Sequence, residues 1–233
     1  MPTVTVVIPS HGRVELTRAC LDSVKVASAA DGVQVEILVV DSSPSPEQTQ
    51  LHAICARLGA HFISGPPSAS GKRNLGAELA STEYVLLLDS DCLVIPGCFI
   101  AHLATLSDPA VHASQGSVSF HGSERLANRA ARASGAFNIT ELPTGQPLRW
   151  VSGGNLMVRR GPFLEVRFDK TMDYHGFGEE GMDFGLRFSS RGYRIVGTPR
   201  ALLCQDTVMS KSFRTNLARF FYWGRAEAPF RSP

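Results

Sequence analysis

Tyr84-Val85-Leu86-Leu87-Leu88-Asp89-Ser90-Asp91-Cys92 is the stretch that decides how the chain folds. An unbroken apolar run with no alternation suits a strand buried on both faces, as in a parallel sheet covered by helices. The run ends abruptly in two carboxylates one residue apart. Ligands of open α/β sheets bind in the crevice beyond the carboxyl ends of the strands, so Asp89 and Asp91 are delivered to the mouth of such a crevice. Two carboxylates held this close repel unless a proton or a cation lies between them, and a hard divalent ion such as Mg²⁺ or Mn²⁺, shared with substrate phosphates, is the usual answer. The alternative is an acidic turn that merely follows a strand.

Upstream, Thr3-Val4-Thr5-Val6-Val7-Ile8 is rich in β-branched residues and stops at Pro9-Ser10, which predicts a first strand and a turn. A helix is expected over about 15–26, with Leu16, Cys20, Leu21 and Val24 at helical spacing. Residues 33–40 repeat the strand pattern and end in Asp41-Ser42-Ser43-Pro44, and 47–58 form a second amphipathic helix. A short strand, His61-Phe62-Ile63, and a helix over 71–81 lead into the central strand. Strands alternating with helices at this interval imply a mostly parallel sheet.

Downstream the rhythm loosens. Residues 112–120 alternate like a half-buried strand, and 123–134, with Arg125, Arg129 and Arg132, read as a basic helix with a solvated face. Trp150-Val151-Ser152-Gly153-Gly154-Asn155-Leu156-Met157-Val158 reads as a glycine bend leading into a strand, where the glycine pair lets the backbone approach a ligand or permits a bulge. A helix over 181–191, a strand over 193–196 and an amphipathic helix over 213–223 complete the pattern.

Composition narrows the function classes. With 233 residues, 43% of them hydrophobic, the chain suits one large domain, 1–233, with a real core. A net charge of +2 argues against nucleic acid as the main partner. Five cysteines without C-x-x-C spacing suggest neither a disulfide framework nor a zinc site and fit a reducing cytoplasm. The first strand begins within three residues of Met1 and no apolar run approaches the roughly 20 residues of a membrane span. A soluble, cytoplasmic protein is therefore expected, with peripheral membrane contact left open.

Two nucleotide motifs are excluded. Pro9-Ser10-His11-Gly12-Arg13 after the first strand holds no G-x-G-x-x-G, which removes a dinucleotide site. Gly65-Pro66-Pro67-Ser68-Ala69-Ser70-Gly71-Lys72-Arg73 has one residue too many between its glycines for a P-loop, an arginine where the metal-binding hydroxyl belongs, and two prolines in place of amide donors. What remains is a set of polar residues at the carboxyl ends of predicted strands: Pro9 to Arg13, Asp41, Lys72-Arg73-Asn74, Asp89 and Asp91. Singly, Asp41 reads as a turn residue and Arg73 as a surface cation. Together they can read a nucleotide, with Asp41 accepting from a base N–H, Arg73 meeting diphosphate or ribose, and a metal bridging phosphates to Asp91. Further on, Glu179, Glu180 and Asp183 lie at the start of a helix, where the macrodipole favours negative charge, and Glu180 and Asp183 share a face. They serve as a helix cap or, if aromatic and glycine surroundings desolvate one of them, as a general base.

These residues resemble the family 2 glycosyltransferases of GT-A fold. Val6-Val7-Ile8-Pro9-Ser10-His11-Gly12-Arg13 is similar to that family's opening strand and loop, and Ile37-Leu38-Val39-Val40-Asp41-Ser42-Ser43 to its base-binding strand end. Gly71-Lys72-Arg73-Asn74-Leu75-Gly76 followed by Leu87-Leu88-Asp89-Ser90-Asp91-Cys92 looks like its Arg-Asn helix and D-x-D motif. Gly153-Gly154-Asn155 resembles its acceptor-side turn, and 178–187 its late acidic helix. The resemblance implies an α/β fold with a mostly parallel sheet flanked by helices, a nucleotide-sugar half (1–110) and a mixed acceptor-side half (111–233). It implies an inverting, metal-dependent transferase that moves a sugar from a UDP-linked donor to a hydroxyl of a small molecule, glycan or peptide. Pro9, Ser10, Arg13, Asp41, Arg73 and Asp89 would hold the nucleotide, and Asp91, Asp89 and Asp206 the Mn²⁺ or Mg²⁺. Trp150, Gly154 and Asn155 would meet sugar or acceptor, and Glu180, Glu179 or Asp183 would act as base.

The chain departs from the family pattern twice. Alignment through Asp183-Phe184-Gly185-Leu186-Arg187 puts Gly181 where the base usually stands, and Leu203-Cys204-Gln205-Asp206 lacks the usual metal-binding histidine. These departures leave the stereochemistry open and motivate a rival reading, a nucleotide-sugar-binding subunit without transferase activity of its own. A sugar-nucleotide pyrophosphorylase is disfavoured because it would want a glycine-rich loop after the first strand.

Overall fold

The structure is a computed structural model that describes residues 2–120, 142–172 and 180–205; the expected helices over 123–134 and 213–223 lie outside these. The first half runs β1 (Thr3–Ser10), α1 (Val14–Asp31), β2 (Gln34–Asp41), α2 (Glu47–Leu58), β3 (His61–Ser64), α3 (Ala69–Leu79) and β4 (Tyr84–Leu88). The second runs β5 (Cys92–Val94), α4 (Cys98–Leu106), β6 (Ala113–Phe120), β7 (Pro147–Leu148), β8 (Asn155–Arg159), α5 (Arg160–Val166), a 3₁₀ turn (Lys170–Met172), α6 (Glu180–Ser190) and β9 (Ile195–Gln205). Among the described residues no helix is long and apolar enough to cross a membrane.

The strands form one sheet in the order β3-β2-β1-β4-β8-β6-β9-β5, with β7 on β9. Pairing is parallel from β3 to β4, as the alternation predicts. Beyond β4 the sheet is mixed: β8 is antiparallel to both β4 and β6, while β6 and β9 run parallel. The lack of alternation in β4 follows from its position. Leu86 and Leu88 join the core layer under α1 and α4, whereas Val85 and Leu87 join the layer under α3, α5 and α6. Each fully buried leucine contributes roughly 1.5–3 kcal/mol relative to exposure.

The apolar run ends at Leu88, with the two aspartates just beyond it as expected, and Asp89-Ser90-Asp91 then leads into a further short strand, β5, which pairs with β9. From Leu88 to Cys92 is four Cα steps, which span at most about 14 Å. Four strand spacings in a flat sheet come to about 19 Å, so β4 and β5 can be joined this way only if the intervening sheet curls. An irregularity in the β6–β9 ladder bends it: Gly116 pairs with Thr198 but Ser117 pairs with Leu202.

Asn155 staples that irregularity. Its amide donates to Ser117 O at 2.8 Å and Ala201 O at 2.9 Å, and its Oδ1 lies 3.0 Å from His102 Nε2. Gly116 has to be glycine, since a Cβ there would stand 2.2 Å from Asn155 Nδ2. The amide's donors are spent on carbonyls, so His102 Nε2 carries the proton and Nδ1 accepts from Ser114 Oγ at 2.7 Å. Asp31 places α4, because its carboxylate accepts from Gly97 N at 2.6 Å and Phe99 N at 3.0 Å across the helix N-terminus.

Burial pushes the His102 pKa down from 6.5 to about 4. The unfolded chain therefore binds a proton that the folded one refuses, so this contribution to stability is complete above pH 6.5 and is lost as pH falls toward 4. The full swing is on the order of 3 kcal/mol. Urea unfolding at pH 7 and pH 5 should show about 2 kcal/mol of this loss, and His102→Gln should flatten that pH dependence.

A candidate active site at the carboxyl edge of the sheet

The first turns of α3 carry three consecutive polar side chains that are all buried: Lys72, Arg73 and Asn74. Ser68 starts the helix by accepting from Gly71 N at 3.0 Å. Lys72 Nζ donates to Ser10 O at 2.8 Å, tying α3 to the end of β1. Asn74 exchanges two hydrogen bonds with the backbone of Phe168, at 2.9 and 3.0 Å. Arg73 joins two acids, donating to Asp89 Oδ1 at 2.7 Å and to Glu180 Oε1 at 3.0 Å. Its Cζ lies 5.7 Å from the centre of the Phe168 ring, which packs in turn on Phe184. Burial works against the charge of Arg73, but Asp89 and Glu180 more than offset it and raise its pKa. The surface-cation reading of Arg73 is thus corrected.

Gly153 and Gly154 lie against this ion pair. A Cβ on Gly153 would stand 2.5 Å from Arg73 Cζ, and one on Gly154 would stand 2.7 Å from Asp89 Oδ2. Close approach is the reason for the glycine pair, and what it approaches is the Arg73–Asp89 bridge. Gln115 holds this turn, donating to Asn155 O at 3.0 Å and accepting from Ser152 N at 2.7 Å. Asn155 itself faces the core network, so the structure places it behind the cleft; the expected contact with sugar or acceptor gives way to stapling of the bent ladder.

Asp91 is 5% exposed. Its Oδ2 accepts from Arg13 Nη1 at 2.7 Å, and its Oδ1 from Gln205 Nε2 at 3.3 Å. Burial raises its pKa, the charge of Asp89 adds to this, and Arg13 opposes it. Arg13 is 48% exposed at the side chain, whereas Arg73 is 6% exposed.

Asp41 ends β2 fully buried and accepts from Ser43 N at 2.8 Å and Ser43 Oγ at 2.7 Å. Ser43 Oγ also accepts from Gly12 N at 2.6 Å, joining the loops after β1 and β2. Pro9 is half-buried, and Ser10 Oγ lies 3.0 Å from Thr17 Oγ1. Asp41 thus behaves as the turn residue its local sequence suggested, and it lies directly across from Ser10 in the β1–β2 register.

Of the two described acids on α6, Glu180 and Asp183, the structure brings Glu180 to Arg73 and so next to Asp89. Asp183 Oδ2 accepts from Arg187 Nε at 2.8 Å, and Arg187 in turn donates to Val166 O at 2.8 Å, locking α6 to α5. Glu179 and Asp206 lie outside the described residues. Gly181 is explained by contact: a Cβ there would stand 2.1 Å from Val151 O, and one on Gly185 would stand 2.4 Å from Arg149 O. No acid fits at position 181. Trp150, in the irregular segment after β7 against which α6 packs, is 37% exposed.

Sequence reasoning missed Phe168, Gln115 and His102, and read Gln205 only as the absence of a histidine. Gln115 carried the one usable signal, a carboxamide flanked by small residues in Ala113-Ser114-Gln115-Gly116-Ser117.

Among the described residues no group of three or more His, Cys, Asp or Glu side chains is poised as a metal cage. Asp89 and Asp91 alone nonetheless fit a Mg²⁺-like or Mn²⁺-like ion, which is held by one or two carboxylates with phosphate oxygens and water completing its shell. Burial and then the charge of Asp89 raise the pKa of Asp91, a cost that such an ion would relieve.

The sequence pattern of "Glycosyl transferase family 2" matches residues 5–167. A search of curated proteins finds no match. The chain is similar in structure to the mannosyltransferase PcManGT from Pyrobaculum calidifontis, solved with GDP-Man and Mn²⁺, at a TM-score of 0.68 and 17% identity over 100% of this chain and 65% of that one. It is also similar to S. aureus TarS, at a TM-score of 0.64 and 14% identity over 89% of this chain and 37% of that one. The chain therefore spans less than two thirds of either protein, and at these identities the likeness concerns the fold.

Gly181→Ala should lower stability by about 1–3 kcal/mol, because the new methyl group meets a backbone carbonyl rather than a yielding side chain. Denaturant unfolding measures it. Removing Arg73 as Arg73→Leu should cost more, about 3–5 kcal/mol, by stranding Asp89 and Glu180.

Proposed function

The chain belongs to glycosyltransferase family 2, and from that premise we propose that it transfers a sugar from a nucleotide diphosphate to an acceptor hydroxyl, by an inverting and metal-dependent route. One observation carries the reading: buried Arg73 holds the donor-side carboxylate Asp89 and the acid Glu180 in a single constellation at the carboxyl edge of the sheet. Structural likeness to a mannosyltransferase solved with GDP-Man and Mn²⁺ supports it.

In this reading Asp91 and Asp89 hold a divalent cation, with Asp206 as a further candidate ligand. Charge stabilisation of a leaving diphosphate by such an ion is worth several kcal/mol. Arg13, on the half-exposed rim, adds a guanidinium that suits phosphate oxygens. Pro9, Ser10 and Asp41 would form the floor beneath the nucleoside, with Asp41 acting through the Ser43 turn it holds, and the nucleoside is taken as uridine, with guanosine as the competitor that the GDP-Man complex of PcManGT raises. Trp150 and Gly154 face sugar and acceptor. Glu180 Oε takes the proton of the acceptor hydroxyl, the acceptor oxygen bonds to the anomeric carbon, and the bond from that carbon to the diphosphate breaks with its electron pair leaving on phosphate oxygen. Arg73 orients Glu180 for that step by donating to its Oε1. Five free cysteines suit a reducing compartment such as the cytoplasm.

A second reading is favoured by one feature, the pairing of each D-x-D carboxylate with an arginine, which neutralises the site without a cation. A subunit that binds nucleotide sugars without turning them over would show this too. Scanning UDP- and GDP-sugars for hydrolysis separates the two, since binding without turnover favours the subunit.

Calorimetry with UDP and Mn²⁺ should show binding that Asp91→Ala abolishes, and GDP run in parallel identifies the base. Glu180→Gln should retain donor binding and reduce turnover by about 10²–10⁴-fold. Unchanged turnover would transfer the role to Glu179 or Asp183.

A further inference from the structure

Asp89 and Asp91 are each matched by an arginine, but the two arginines are built differently. Arg73 is 6% exposed and fixed by Asp89, Glu180 and the Phe168 ring. Arg13 is 48% exposed and touches Asp91 through one nitrogen, Nη1, on one oxygen, Oδ2. Its backbone is anchored, because Arg13 O accepts from Thr17 N at 2.9 Å and from Thr17 Oγ1 at 2.8 Å. The side chain is thus half-exposed and held at its tip by one ion pair, while its root is fixed at the mouth of the cleft. Gly12 beside it has φ of 62°, which holds the turn that points the chain this way.

Resting on the cation reading above, we infer that Arg13 is an exchangeable counter-ion: it occupies the cation's place at Asp91 and yields that place when a diphosphate arrives with the metal. The carboxylate it covers is buried and cannot stand bare, so some positive charge must remain there. A cation that comes alone has to evict the guanidinium and gives it no new partner. A cation that comes with a diphosphate offers the displaced guanidinium phosphate oxygens, which its planar fork binds well. Arg13 thereby makes cation capture conditional on the diphosphate, and by linkage makes diphosphate binding conditional on the cation to the same degree. Arg73, walled in by acids and by Gly153, takes no part in the exchange and keeps Asp89 in position.

The experiment titrates Mn²⁺ against wild type, Arg13→Gln and Arg18→Gln, following the loss of the free-ion EPR signal, with circular dichroism to confirm folding. Arg18 lies on α1 in surface pairs with Glu15 and Asp22, so its variant removes a nearby charge without touching Asp91. Arg13→Gln should bind Mn²⁺ alone about tenfold more tightly than wild type, and the factor by which UDP tightens Mn²⁺ should shrink by about the same amount. Arg18→Gln should match wild type in both. Unchanged or weaker Mn²⁺ binding in Arg13→Gln overturns the exchange and leaves the cation reading standing, as does equal tightening in Arg18→Gln, which would reveal general charge removal. If no protein takes up Mn²⁺, with or without UDP, the cation reading fails and the exchange fails with it.

Discussion

The site depends on a guanidinium sunk into the rim of the sheet. Arg73 comes from α3, and its partners come from the end of the next element, β4, and from the start of α6, 107 residues further on. A buried cation is tolerable only where carboxylates compensate it, and buried carboxylates are tolerable only where a cation does. The three elements therefore fix one another. Phe168 stacks near the guanidinium and Gly153 lies close against it. The same constraint gives Glu180 its position, so the acid proposed as the base is held where a buried arginine needs a partner.

Much of the first half was legible in the sequence because its elements follow local rules. The helix over 47–58 agrees to the residue, since Pro46 before it and Gly59 after it, the latter at φ of 69°, bound the apolar spacing. β4 could be read as buried on both faces from its lack of alternation, and its two faces do serve different core layers. The end of β4 was legible in its two carboxylates, but β5 was not, because the chain there changes partner, from β1 and β8 to β9. Partner exchange is a non-local event with no signature in a window of nine residues. α4 went unread for a related reason: its N-terminus is capped by Asp31, far upstream at the end of α1.

The site residues show the same divide. Asp89, Asp91, Arg73 and Glu180 were legible because charges at strand and helix ends are conspicuous, and the structure brings all four together. Asn155 was misassigned because a polar residue after a glycine turn looks like a ligand contact, while the carbonyls it satisfies belong to a bent ladder no local pattern reveals. Gly181 looked like a lost catalytic acid. It records instead the contact distance between α6 and Val151, a quantity visible only in three dimensions.

The curl between β4 and β5 has a mechanical corollary. With only three residues bridging strands that stand at such different places in the sheet, Asp89-Ser90-Asp91 works like the crown of an arch whose two piers are the parallel half and the β6–β9 ladder. Spreading or tightening either pier loads the crown first. Substitutions near Gly116 or Ala201, remote in sequence and without any charge to offer, would thus retune the spacing of the two aspartates as surely as changes beside them.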